Sequence, residues 1–162
     1  MKSREHKMEP AVKAEEGSRT IEDILQKEGI YVGTTAGISM YPMLRDRRDT
    51  IVIRPCRGRL KKYDVPLYRR GDAYILHRIV RVLPDSYVIC GDNCLRREYG
   101  VTDQQILGVL TEFYRGDTWI NMNGLAYKGY VRFWCFIYPA RFCCKALLGR
   151  VKCLLKGERI RC

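Results

Sequence analysis

A chain of 162 residues that is 46% hydrophobic fits one domain with tails and can bury a real core. Its net charge of +12 favours an anionic partner, such as nucleic acid, acidic lipid or an acidic peptide, without choosing among them. The eight cysteines include no Cys-x-x-Cys pair, and no histidine lies near the C-terminal group, so zinc-type spacing is absent and neither metal nor cofactor is expected.

In chain order, residues 1–19 are rich in Lys, Glu and Arg and lack a periodic apolar face, which predicts a disordered charged tail. No apolar run of the signal-peptide kind opens the chain. A cytoplasmic, reducing location with reduced thiols is therefore expected. Thr20-Ile21-Glu22-Asp23-Ile24-Leu25 reads as a short helix, with Thr20 as its cap and Glu22 and Asp23 at the positive end of its dipole. Gln26, Lys27 and Glu28 extend it by a turn, and Gly29 is placed to end it in the left-handed conformation.

From Ile30 the pattern turns to strands. Ile30-Tyr31-Val32 and Thr50-Ile51-Val52-Ile53 are β-branched or aromatic. Asp64 to Tyr68 is a weaker strand, because Pro66 has no N–H for a ladder and favours an edge. Tyr74 to Leu83 is the longest candidate, followed by Ser86 to Cys90, Ile106 to Tyr114 and Thr118 to Asn121. Turn residues separate most of them, which predicts a mainly β antiparallel barrel or sandwich over residues 20–123.

Residues 124–162 form a basic, aromatic segment expected to be an amphipathic helix, kinked or split at Pro139. From residue 125 onward nine Lys/Arg face one Glu, so +8 of the total +12 lies here. Its longest uncharged run, Phe133 to Ala140, is far shorter than the roughly 20 residues of a spanning helix. Two readings stay open: a helix lying in an anionic membrane interface, or one packed on the β domain. The five cysteines from Cys135 onward are expected to pack as small apolar groups.

Three residues carry possible chemistry. Ser39 lies between Gly37 and Pro42, in what should be a tight turn that exposes its hydroxyl. His77 is placed mid-strand on the face shared by Ile75 and Ile79; histidine, with a reference pKa of about 6.5, suits a general base at neutral pH. Asp92 stands in Gly91-Asp92-Asn93, and Glu98 and Asp103 are further carboxylates downstream. Serine, histidine and a carboxylate are the residue types of a nucleophile, its base and the base's orienter. The plain alternatives are a turn serine, a structural histidine and a turn-forming aspartate. Arg78 should point away from His77, as a surface or ion-paired arginine.

The ordered segments Gly37 to Leu44, Asp49 to Val52, Asp64 to Tyr68, His77 to Val80, Gly91 to Asn93 and Ile106 to Val109 resemble the signal peptidase superfamily, which also holds the self-cleaving domains of phage and damage-response repressors. The resemblance covers about half the chain, residues 30–115. Histidine where most bacterial relatives carry lysine makes the chain similar to the endoplasmic-reticulum type. The resemblance implies a fold of antiparallel sheets, Ser39 as nucleophile, His77 as base and Asp92 as supporting carboxylate. It departs from the family in three ways: no N-terminal membrane anchor is visible, Gly37 supplies no hydroxyl two residues before the serine, and no second acidic residue follows Gly-Asp-Asn in the family's position. Backbone N–H groups near Ser39, aided by Thr34 or Thr35, would then hold the oxyanion.

The expected function is a serine endopeptidase that cleaves a peptide or leader-like segment bound as an extended strand. Two rivals remain: a non-catalytic peptide-binding member of the fold, and a basic nucleic-acid-binding regulator. No helix-turn-helix precedes the β region, and the C-terminal basic residues lie among aromatics, so nucleic acid is disfavoured as a partner.

Overall fold

The computed structural model describes residues 19–141 together with Cys143, Cys144 and Leu147. The expected tail, apart from Arg19, lies outside these residues. The chain divides into two compact units, one up to Lys128 and one from Gly129.

The first unit opens with helix α1, Ile21–Glu28. Thr20 Oγ1 accepts from the Asp23 N–H, and the Asp23 carboxylate accepts from the Thr20 N–H at 3.0 Å, which satisfies two donors at the helix start. Gly29 ends the helix with φ 68°, as its position suggested. Ile21 and Leu25, one turn apart, are buried, and each contributes about 1.5–3 kcal/mol of apolar burial.

Nine strands follow among the described residues: β1 (Tyr31–Thr34), β2 (Asp49–Arg54), β3 (Pro66–Arg70), β4 (Ala73–Leu76), β5 (Arg78–Val82), β6 (Tyr87–Cys90), β7 (Glu98–Val101), β8 (Ile106–Arg115) and β9 (Thr118–Asn121). All pair antiparallel. A curled half-barrel sheet runs β1-β2-β8-β3-β4, with β9 also on β8, and a three-stranded sheet runs β5-β6-β7. Register follows burial: Ile51 pairs with Phe113, Ile53 with Leu110 and Tyr68 with Ile75, all buried. Leu60, Tyr68, Ile75, Ile79, Tyr87, Ile89 and Val101 form one core cluster drawn from both sheets.

Two expectations are corrected. Pro66 does not mark an edge, because β3 lies between β8 and β4; it occupies the first position of its strand, where no ladder donor is lost within the element. The long strand Tyr74 to Leu83 is broken at His77. Leu76 pairs with Leu67, so the next pair would set His77 against Pro66, which has no N–H to give. The chain instead turns away. The Ile79 N–H bonds Asp64 O at 2.8 Å and Ile79 O accepts from Tyr63 at 2.8 Å, and β5 joins the other sheet. Strand β7, where no strand was expected, completes that sheet.

In the C-terminal region, α2 spans Leu125–Phe136. Pro139 has no N–H to give the carbonyl four residues back, and the helix is interrupted at Ile137 and resumes over 138–141. Arg141 lies over the Trp134 ring at 3.5 Å, and Trp134 stacks with Tyr130. Leu125, Gly129, Arg132, Phe133 and Phe136, spaced along one stripe, are exposed, whereas Val131 is buried. The cysteines here do not all pack inside: Cys143 and Cys144 are exposed and Cys135 is half-buried, while Cys153 and Cys162 lie outside the described residues. Among the described residues no helix is long and apolar enough to cross a membrane.

Candidate active site

The segment 37–44 is a compact turn between β1 and β2. The Gly37 N–H bonds the Asp46 carboxylate at 2.7 Å, and Leu44 closes a turn onto Met40 O at 2.9 Å. Met40, Met43 and Leu44 are sunk in the core and fix the turn. Arg115 holds it from β8 by donating to Met43 O at 2.8 Å. The Gly91-Asp92-Asn93 turn clamps the other side. The Asn93 N–H bonds Ser39 O at 2.7 Å, and its side-chain amide bonds Ile38 O at 3.1 Å. Two motifs far apart in sequence, Ile38 and Asn93 being 55 positions apart, are thus joined by direct bonds. Ser39 is not exposed as expected: it is 4% exposed, while Ile38 and Tyr41 on either side are each 54% exposed.

His77 occupies the link between β4 and β5, rather than a mid-strand position. Its Nδ1 lies 3.2 Å from Glu98 Oε1 and 3.5 Å from the Tyr68 hydroxyl. A carboxylate at Nδ1 draws the proton of a neutral imidazole to that nitrogen and leaves the lone pair on Nε2. Nε2 is buried and makes no hydrogen bond, so no bond to Ser39 Oγ is formed in this structure. It nevertheless faces the serine segment. A Cβ on Gly91 would stand 2.8 Å from Ser39 O, 3.0 Å from His77 Nε2 and 2.7 Å from Cys94 Sγ. Only glycine leaves room for these three groups to converge.

The carboxylate at His77 is Glu98, not Asp92. Arg78 Nε and Nη2 donate to Asp92 Oδ1 and Oδ2, each at 2.7 Å, in a bidentate pair that is almost wholly buried. Arg78 does point away from His77, but into the interior: it also donates to Tyr63 O at 3.1 Å and to the Tyr127 hydroxyl at 2.9 Å. Asp92 thereby fixes the turn that clamps Ser39 instead of meeting the His77 ring. Burial pushes the Arg78 pKa down, and the Asp92 charge more than reverses this.

Glu98 is set by its own neighbours. Burial raises its pKa, but hydrogen bonds from His77 and Tyr68 and the Arg70 charge, 3.0 Å away, outweigh burial and hold it below the usual carboxylate range. Burial, with the Glu98 charge beside it, keeps the Tyr68 phenol protonated. Glu98 was among the candidate carboxylates downstream of His77, but nothing in its spacing singled it out. The signal would have been β7, whose register with β6 sets Glu98 against Ile89.

Thr35, just beyond β1, is 7% exposed, and its hydroxyl has no hydrogen-bond partner. A cleft of about 470 Å³ lies between Pro55, Cys56, Arg59, Leu60 and Asp103, and none of Ser39, His77 and Glu98 lines it. Burial, then the charges of Asp64 and Asp103, push the Cys56 thiol up to about 11, so it is inert at neutral pH. Among the described residues no group of three or more His, Cys, Asp or Glu could hold a metal. No protein family, curated protein or solved structure matches the chain.

Proposed function

We propose that the chain is a serine endopeptidase of the signal-peptidase type, with Ser39 as nucleophile, His77 as base and Glu98 as the residue that orients the base. The observation that carries this is that the backbone carbonyl of Ser39 and His77 Nε2 both border Gly91, with a carboxylate on Nδ1. His77 Nε2 takes the Ser39 proton, Ser39 Oγ attacks a peptide carbonyl, and His77 returns the proton to the leaving amine. Water then hydrolyses the acyl-enzyme by the same base. Backbone N–H groups near Ser39 and the unpartnered Thr35 hydroxyl are the donors available to the oxyanion. The missing bond between Nε2 and Ser39 forms on substrate binding, as catalytic bonds commonly tighten in the complex. The substrate adds as an extended strand to β1, which ends the half-barrel sheet. A peripheral anionic membrane is the second partner, through the exposed apolar stripe and charge of the C-terminal region.

The burial of Ser39 and the unbonded Nε2 favour one other reading, a peptide-binding protein without catalysis. Cleavage of a diverse peptide library, with and without anionic vesicles, separates the two. Cuts by the wild type that vanish in both Ser39→Ala and His77→Ala support the peptidase. Peptide retention without cuts supports the binder.

A further inference from the structure

The thiol of Cys94 meets the same point as the unbonded imidazole nitrogen. The Cβ position of Gly91 is 2.7 Å from Cys94 Sγ and 3.0 Å from His77 Nε2. His77 is 5% exposed, its Nε2 makes no hydrogen bond, and its Nδ1 is held by Glu98 with the Tyr68 hydroxyl beside it. Cys94 itself is only partly buried and is held in the turn by its N–H on Gly91 O at 2.9 Å. Both groups border the point where a Cβ on Gly91 would stand, and a thiol that reaches the lone pair of a carboxylate-backed imidazole yields a thiolate at neutral pH.

We propose that Cys94 is a His77-activated thiol, a modification site for low-molecular-weight disulfides and soft electrophiles. With a disulfide, His77 Nε2 takes the Cys94 proton and the thiolate attacks one of the two sulfurs. A new S–S bond forms to Cys94, the old one breaks, and the departing thiolate takes the proton from His77. Cys94 and one half of the disulfide end as a mixed disulfide, and the other half leaves as a thiol. The adduct fills the space in front of Nε2, so the same histidine loses its access to Ser39. The thiol chemistry itself requires nothing of Ser39, and its test does not depend on peptide cleavage.

The test is alkylation of the purified full chain by iodoacetamide, with the rate at each cysteine read by peptide mass spectrometry. Cys143 and Cys144, which are exposed, serve as references within the same molecule. In the wild type, the Cys94 rate should hold up well below a pH of about 8.5, the reference value of an unperturbed thiol. A Cys94 pH profile that coincides with that of Cys143 overturns the proposal, and this arm needs no variant. His77→Ala should slow Cys94 about tenfold at pH 7 relative to Cys143, and Glu98→Gln, which preserves a hydrogen-bonding side chain, should slow it in the same direction. A Cys94 rate unchanged relative to Cys143 in both variants also overturns it.

Discussion

Glu98 is the residue on which both proposed chemistries would depend, and it makes the sharpest claims. Glu98→Gln keeps the shape but lets the wrong imidazole tautomer form, so kcat for peptide cleavage should fall on the order of 10³-fold, with a smaller change in KM. Steady-state kinetics on a cleaved library peptide check this. The carboxylate also couples the fold to pH. Its folded pKa is depressed, so it contributes stability above the ordinary carboxylate value of about 4.3, and that contribution is lost as pH falls through the lower folded value. Thermal melts should therefore show a gap between wild type and Glu98→Gln at pH 7 that closes as the pH is lowered towards 3. Arg78 and Asp92 form the second residue-scale unit. Arg78→Met leaves Asp92 charged and buried, and should cost about 3–5 kcal/mol in urea unfolding. The double variant Arg78→Met/Asp92→Leu should cost less than the sum of the single changes, because neither charge is then stranded. That Arg78 is buried was not legible from its position after a histidine, since the partner that neutralises it lies 14 residues away across a strand pair.

At the scale of elements, local chemistry was readable and long-range pairing was not. The α1 cap could be read because Thr20 and Asp23 sit three residues apart and satisfy each other. Thr20→Ala should cost about 1 kcal/mol, measurable by denaturant midpoint. The alternation and β-branching of Thr50 to Ile53 and of Ile106 to Tyr114 likewise marked β2 and β8. The break at His77 was hidden, because Tyr74 to Leu83 has continuous strand character and the interruption comes from Pro66 on the facing strand. Of the candidate site, Ser39 and His77 were legible in the sequence; the place at the His77 ring expected for Asp92 is taken by Glu98, since contacts between strands rather than spacing decide which carboxylate reaches the ring. The Gly91 turn carries its own prediction. Gly91→Ala would push a methyl into Ser39 O, a backbone atom that cannot swing aside. It should cost about 1–3 kcal/mol and abolish cleavage even where the protein still folds.

For the molecule as a whole, charge and exposed aromatics are concentrated towards one end of the sequence. Leu125 is 88% exposed and Phe136 83%, on a stripe that also carries Arg132. Binding to phosphatidylserine vesicles should weaken with salt, and Phe133→Ser/Phe136→Ser should weaken it at every salt concentration, as sedimentation would show. Binding only to DNA, and not to vesicles, would return the nucleic-acid partner to favour. The candidate centre also ties the two sheets of the first unit. Glu98 comes from β7 of the smaller sheet, Tyr68 and Arg70 come from β3 of the larger one, and His77 bridges the crossing. Such a centre reads out the seam between the sheets. Mild denaturant that parts them should silence it while each sheet keeps its ladder, so inactivation should precede the loss of far-ultraviolet circular dichroism.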